Sequence, residues 1–174
     1  MTIGWPSRTQ RIAIGFIAIG IVARLTPHAW NATPLTALAL FSGAYLSPRR
    51  WSILIPLIAV ALSDVFLGWH NTIPFTWGAF ALTGLLAWWV RRKPTAGRII
   101  GGTVAGSALF FVITNFGVWL QGELYPSTLP GLWECYVAGI PFFRTMLIGD
   151  LLCSTALFGG YALANTLLPE AARS

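Results

Sequence analysis

The chain has 174 residues, of which 56% are hydrophobic and only 9% charged, with a net charge of +6 and mean hydropathy +0.70. A soluble domain carries about 25% charged residues, so this composition excludes a water-facing globular domain. It points instead to an integral membrane protein folded as one bundle.

The opening stretch "MTIGWPSRTQRIAIGFIAIGIVAR" has the basic start and short apolar run of a signal peptide. No A-x-A site follows and Arg24 ends the run, so it reads as a retained first helix. Six apolar segments succeed one another, at about 9–25, 34–46, 51–69, 73–90, 99–120 and 137–167. A spanning helix needs about 20 apolar residues. The third to fifth segments meet that length, the first is marginal, the second is short and the sixth is long. Pro141 suggests a loop or kink leading into the sixth. The stretch 121–136, "QGELYPSTLPGLWECY", is polar and rich in Gly and Pro, and reads as a loop able to fold back over a bundle. The expected fold is therefore all-α, a single transmembrane domain over 1–174 with six helices.

The basic residues orient it. Arg8 and Arg11 precede the first helix, and Arg49 and Arg50 lie between the second and third. Arg91, Arg92, Lys93 and Arg98 lie between the fourth and fifth, and Arg173 follows the sixth. With six helices these nine of the eleven Lys and Arg fall on one side, which the positive-inside rule makes cytoplasmic. Both termini are then inside. The charge reports topology, and no nucleic-acid partner is expected.

The remaining polar groups gather towards the other side. Arg24, His28 and Asn31 fall in the first outer connection. Asp64 lies in "ALSDVFLGWHN", about 7–8 Å before the outer end of the third helix at 1.5 Å per residue. Trp69, His70 and Asn71 form the next outer turn. Asn115 and Trp119 end the fifth helix. Glu123, Tyr125, Trp133, Glu134 and Tyr136 occupy the outer loop, with Arg144 and Asp150 in the outer half of the sixth helix. A carboxylate facing lipid is costly and usually pairs inside a bundle. Arg144 is the expected partner of Asp64, with Arg24 second. The pair either fixes helix register or lines an outward polar cavity. Trp69, Trp119 and Trp133 would stack on a ligand there, whereas Trp51, Trp88 and Trp89 suit an interface belt. Gly102-xxx-Gly106, Ala39-xxx-Gly43 and Ala156-xxx-Gly160 read as close helix packing.

The sequence has no Gly-Lys phosphate loop, nucleophile elbow or HExxH helix. Cys135 and Cys153 make neither a zinc site nor a disulfide framework. No metal, cofactor or catalytic residue is expected. What remains is a one-sided, aromatic and polar pocket that captures a ligand. Two rivals stand beside it. One is a membrane enzyme using Asp64, His70, Glu134 and Asp150 as acid–base groups. The other is a structural or assembly subunit whose polar residues join helices.

The stretch "RLTPHAWNATPLTALALFSGAYLSPRRWSILIPLIAVALSDVFLG" resembles the opening of the S components of energy-coupling factor (ECF) transporters. These have an early Pro-bearing loop, a helix ending in small residues, a short basic turn and a helix ending in Asp or Asn and Gly. The elements "TNFGVWL", "YP", "GL..CY" and "IPFFR...GDL" are similar to those of a group of uncharacterised bacterial six-helix membrane proteins. The resemblance implies a multi-pass protein of the bacterial cytoplasmic membrane that binds a vitamin-like molecule from outside and reorients to release it. Cobalamin is the first guess. The bilayer and the ligand are its implied partners, with an ECF coupling subunit and its ATPases or as a solitary component. The family's AxxxA docking face is absent from helix one, where Ala13, Gly15, Ala18 and Gly20 stand.

Overall fold

The computed structural model describes residues 8–25, 34–48, 50–67 and 71–167. All regular structure among them is helical: α1 Arg8–Leu25, α2 Leu35–Tyr45, α3 Trp51–Leu67, α4 Ile73–Arg92, α5 Ala96–Gln121 and α6 Leu129–Leu167. Three of these, α4, α5 and α6, are long and apolar enough to cross a membrane. Large apolar side chains also cover the outside of the bundle, among them Val65, Leu152, Ile19 and Ile148.

The shortest helix is the centre. α2 packs against all five others, and these close a ring around it in the order α1, α3, α4, α5, α6 and back to α1. Every residue from Leu35 to Gly43 is buried. A helix buried on all sides must be apolar on all sides, and "LTALALFSGAY" carries no charge. Its Ser42 hydroxyl is satisfied by backbone, on the Ala39 carbonyl of its own helix and the Trp51 carbonyl of α3, at 3.2 Å each.

Small residues let the ring close this tightly. Gly43 of α2 faces Ser52 of α3 and Ala87 of α4. A methyl on Gly84 would lie 2.7 Å from the Ser52 carbonyl oxygen. Pro56 has no N–H to give that carbonyl from one turn on, so the helix contact covers a backbone group freed by the proline. Gly102 meets Val90 and Leu40, Gly106 meets Thr36 and Thr83, and Gly160 meets Phe16. The spacings at 39–43, 102–106 and 156–160 thus fall at helix contacts through these glycines.

The sixth helix differs from the sequence expectation. It begins at Leu129 and runs for 39 residues through Pro141. The stretch 129–136, read above as loop, forms its first two turns. Pro130 is tolerated there because a first-turn N–H has no helical partner to lose. The connection is therefore only 122–128, entered through Gly122 in the left-handed conformation at φ 68°.

Lengths then decide where space remains. At 1.5 Å per residue α2 is about 17 Å long and α5 about 39 Å. The carbonyl end of α2 lies at the basic end of the bundle, where the Arg91 guanidinium donates to the Gly43 and Leu46 carbonyls. Its other end stops partway along the ring.

Candidate functional site

A cavity of about 400 Å³ lies between α5 and α6, closed on one side by Thr76 of α4 and above by Leu124 and Tyr125 of the 122–128 connection. It sits at the end of the bundle opposite the Arg91–Arg98 turn. The α5 wall presents Phe110, Phe111, Thr114, Asn115 and Val118. The α6 wall presents Cys135, Ala138, Gly139, Phe142, Phe143 and Met146. Both sets recur at three and four residues, one helical face each.

The two walls touch at Gly139. A Cβ there would come 2.6 Å from Asn115 Oδ1 and 2.8 Å from Phe111 Cε2. Only glycine lets α6 pass this close to the Asn115 amide. The Cys135 thiol donates to the Asn115 backbone carbonyl at 3.3 Å. Phe111 packs against Phe143 with ring centroids 5.0 Å apart, and against Tyr136 at 5.7 Å.

One turn below the cavity lies a buried polar cluster. Asp150 is one turn on from Met146, and Ser107 one turn before Phe111. The Ser107 hydroxyl donates to Asp150 Oδ2 at 2.6 Å, and the Thr36 hydroxyl is a second partner of this carboxyl. Asp150 is only 1% exposed. Thr36 belongs to the first turn of α2, where unpaired N–H groups carry partial positive charge. A turn further, Thr103 and Ser154 share a hydrogen bond of 2.8 Å.

The roof is held by side chains of its neighbours. Trp119 Nε1 donates to the Pro126 and Thr128 carbonyls at 3.0 and 3.1 Å. Asn71 Nδ2 donates to Glu123 Oε1 at 3.3 Å, tying the start of α4 to the connection.

Of the residues read from sequence as ligand contacts, Asn115 and Tyr125 line the cavity. Trp119 supports its roof, and Asp150 lies beneath its floor. Trp133 is 72% exposed on the first turns of α6, outside the cavity. Arg144 is exposed on the face of α6 turned from the cavity. Asp64 is buried, but it accepts from Trp77 Nε1 at 2.9 Å. The expected Asp64–Arg144 pair does not form, because among the described residues α3 and α6 make no contact. Arg24 is in the last turn of α1 and its side chain lies outside the described residues, as do His28, Asn31, Trp69 and His70.

Sequence reasoning passed over Thr76, Thr114 and the four phenylalanines of the walls. The signal was present as face periodicity. Phe110/Phe111 and Thr114/Asn115 repeat at four residues, as do Cys135, Gly139 and Phe143. No group of three or more His, Cys, Asp or Glu suited to a metal ion occurs among the described residues. The carboxylates Asp64, Glu134 and Asp150 are also not gathered. Asp64 and Asp150 are on helices that do not touch, and Glu134 is exposed.

These features define a helical bundle with three helices of membrane-spanning length and an aromatic cavity at one end. The chain belongs to the family of unknown function DUF6580, whose model matches residues 6–171. No curated protein and no solved structure matched it.

Proposed function

We propose that this protein is a membrane-embedded binding protein of the S-component kind, which captures a small vitamin-like molecule from outside the cell. One observation carries this reading: an aromatic cavity of about 400 Å³ lies between α5 and α6 at the end of the bundle away from the basic turn. Small-molecule pockets occupy roughly 300–1,000 Å³ and are mainly apolar with a few placed polar groups. The lining fits that description.

In this reading all six helices lie in a bacterial cytoplasmic membrane with both termini inside. Support comes from Arg50, Arg91, Arg92, Lys93 and Arg98, which flank the turns at one end of the bundle, as the positive-inside rule requires of the cytoplasmic side. The cavity then faces out beneath the 122–128 connection. Coupling to an ECF module or action as a solitary component are both compatible with it. The protein performs no chemical conversion of its own. A corrinoid exceeds the cavity, so cobalamin gives way to smaller vitamins and bases.

The test is a thermal-shift screen of purified full-length protein against thiamin, riboflavin, biotin, folate, cobalamins and queuine-like bases. A ligand at a hundred times its Kd should stabilise the fold by about 2.7 kcal/mol. Ala138→Trp, which fills the cavity, should abolish the shift. Folded protein that responds to no compound would favour the alternative supported by the Thr103–Ser154 and Ser107–Asp150 hydrogen bonds, a structural subunit whose polar groups join helices.

A further inference from the structure

We infer that the cavity selects an uncharged planar heteroaromatic molecule that donates N–H hydrogen bonds from its edge. This rests on the binding role proposed above and names the ligand class.

Most polar hydrogens of the lining are already spent within the protein. The Thr76 hydroxyl donates to the Thr72 carbonyl at 3.2 Å. The Thr114 hydroxyl donates to the Phe110 carbonyl at 2.8 Å. The Asn115 amide nitrogen donates to the Phe111 carbonyl at 2.8 Å. These hydrogens are committed to helix backbone, but each oxygen keeps lone pairs. Asn115 Oδ1 meets only a long contact from the Cys135 thiol, at 3.9 Å. The walls therefore offer a ligand three oxygen acceptors. Against them the described lining keeps two donors, the second Asn115 N–H and the Tyr125 hydroxyl at the roof.

Charge and shape narrow the class. The described lining contains no Asp, Glu, His, Lys or Arg, and the Cys135 thiol hydrogen is engaged by the Asn115 carbonyl. An ion entering without a counter-charge would lose hydration with nothing to replace it. Phenylalanines on both facing helices suit a flat ring through stacked or edge contacts. Phe110 and Phe111 lie one turn before the acceptors Thr114 and Asn115, so ring and polar edge are read at adjacent levels.

The test uses matched probes on the full chain in lipid nanodiscs, followed by titration calorimetry. Indole is compared with 1-methylindole, and theophylline with caffeine, each pair differing by one N–H replaced with N–CH₃. Indole-3-acetate and tryptamine supply the charged counterparts. The N–H member of each pair should bind about five- to tenfold more tightly, the usual worth of one hydrogen bond. Thr114→Val, which keeps the shape and removes the oxygen, should bring that ratio towards one while the methylated probe binds as before. Ala138→Trp should remove binding of every probe. Methylated or charged probes binding as tightly as the N–H forms, still lost in Ala138→Trp, would overturn the ligand class and leave the binding role standing. Failure of every probe to bind, or binding indifferent to Ala138→Trp, would overturn both.

Discussion

Arg91 and Asp150 hold opposite ends of the same helix. The Arg91 guanidinium donates to the Gly43 and Leu46 carbonyls at the C-terminal end of α2. The Asp150 carboxyl stands at its first turn, joined to Thr36 and Ser107. The cation at the carbonyl end complements the helix dipole, while the buried Asp150 carboxyl joins the first turn of α2 to α5 through the Thr36 and Ser107 hydroxyls. The arrangement fixes an 11-residue helix, too short to reach across a bilayer, at one depth in the ring.

Arg91→Ala should therefore cost about 2 kcal/mol, since it strips charged donors from two helix-end carbonyls. Arg91→Lys should fall between, because a lysine keeps the charge without the planar fork. Unfolding midpoints in detergent would rank the three proteins. Equal midpoints for all three would show that α2 needs no cap.

The Asp150 site should respond to shape and hydrogen bonding. Asp150→Asn keeps an acceptor for Ser107 and should stay within about 1 kcal/mol of the parent. Asp150→Ala takes the carboxyl from the Thr36 and Ser107 hydroxyls, leaving Ser107 the Thr103 carbonyl at 3.0 Å, and should cost about 1–3 kcal/mol. The same unfolding measurement tests both. An alanine variant more stable than the asparagine one would contradict the packing described.

Trp77→Phe and Arg144→Ala make a paired test of how Asp64 is held. Removing the indole N–H takes a partner from a buried carboxyl and should destabilise by about 1–3 kcal/mol. Arg144 is exposed, so its truncation should change stability by no more than about 0.5 kcal/mol. A large loss in Arg144→Ala with none in Trp77→Phe would restore the pairing expected from charge alone.

That pairing shows where sequence reading stops. Apolar segment lengths made the six helices legible, and small-residue spacing marked the contacts at Gly43, Gly102, Gly106 and Gly160. Which helices touch was not legible. Asp64 invited a search for an arginine, whereas among the described residues it accepts from a neutral indole on the next helix. Asp150 is held by hydroxyls from α2 and α5, and serine and threonine occur too widely to signal such a role. The central place of α2 was hidden by its shortness, which suggested a poor span and not a core. The Gly- and Pro-rich stretch after Gln121 suggested loop, although prolines in a first helical turn lose nothing.

Gly139→Ala should close the cavity from within. The new methyl would stand 2.6 Å from Asn115 Oδ1, so Asn115 and Phe111 must move or the helices part. Overpacking of this kind costs about 1–3 kcal/mol. Ligand affinity should fall at the same time, which Ala138→Trp would do at a site already open to the cavity. A stable Gly139→Ala protein with unchanged affinity would show that the walls can separate freely.

Trp119 controls the roof without touching the space below it. Its single N–H is shared between the Pro126 and Thr128 carbonyls, so Trp119→Phe keeps the ring and releases the connection. Affinity depends mainly on the α5 and α6 wall residues, which this change leaves in place. Exchange depends on how often residues 122–128 swing away. Stopped-flow fluorescence with a bound probe should thus show association and dissociation both several-fold faster, with their ratio nearly constant. Asn71→Ala, which removes the link to Glu123, should act in the same direction and add to it, because the two ties hold different points of the connection. A change in dissociation alone would instead mean that Leu124 and Tyr125 contribute binding energy as part of the site, and the roof would then be a third wall.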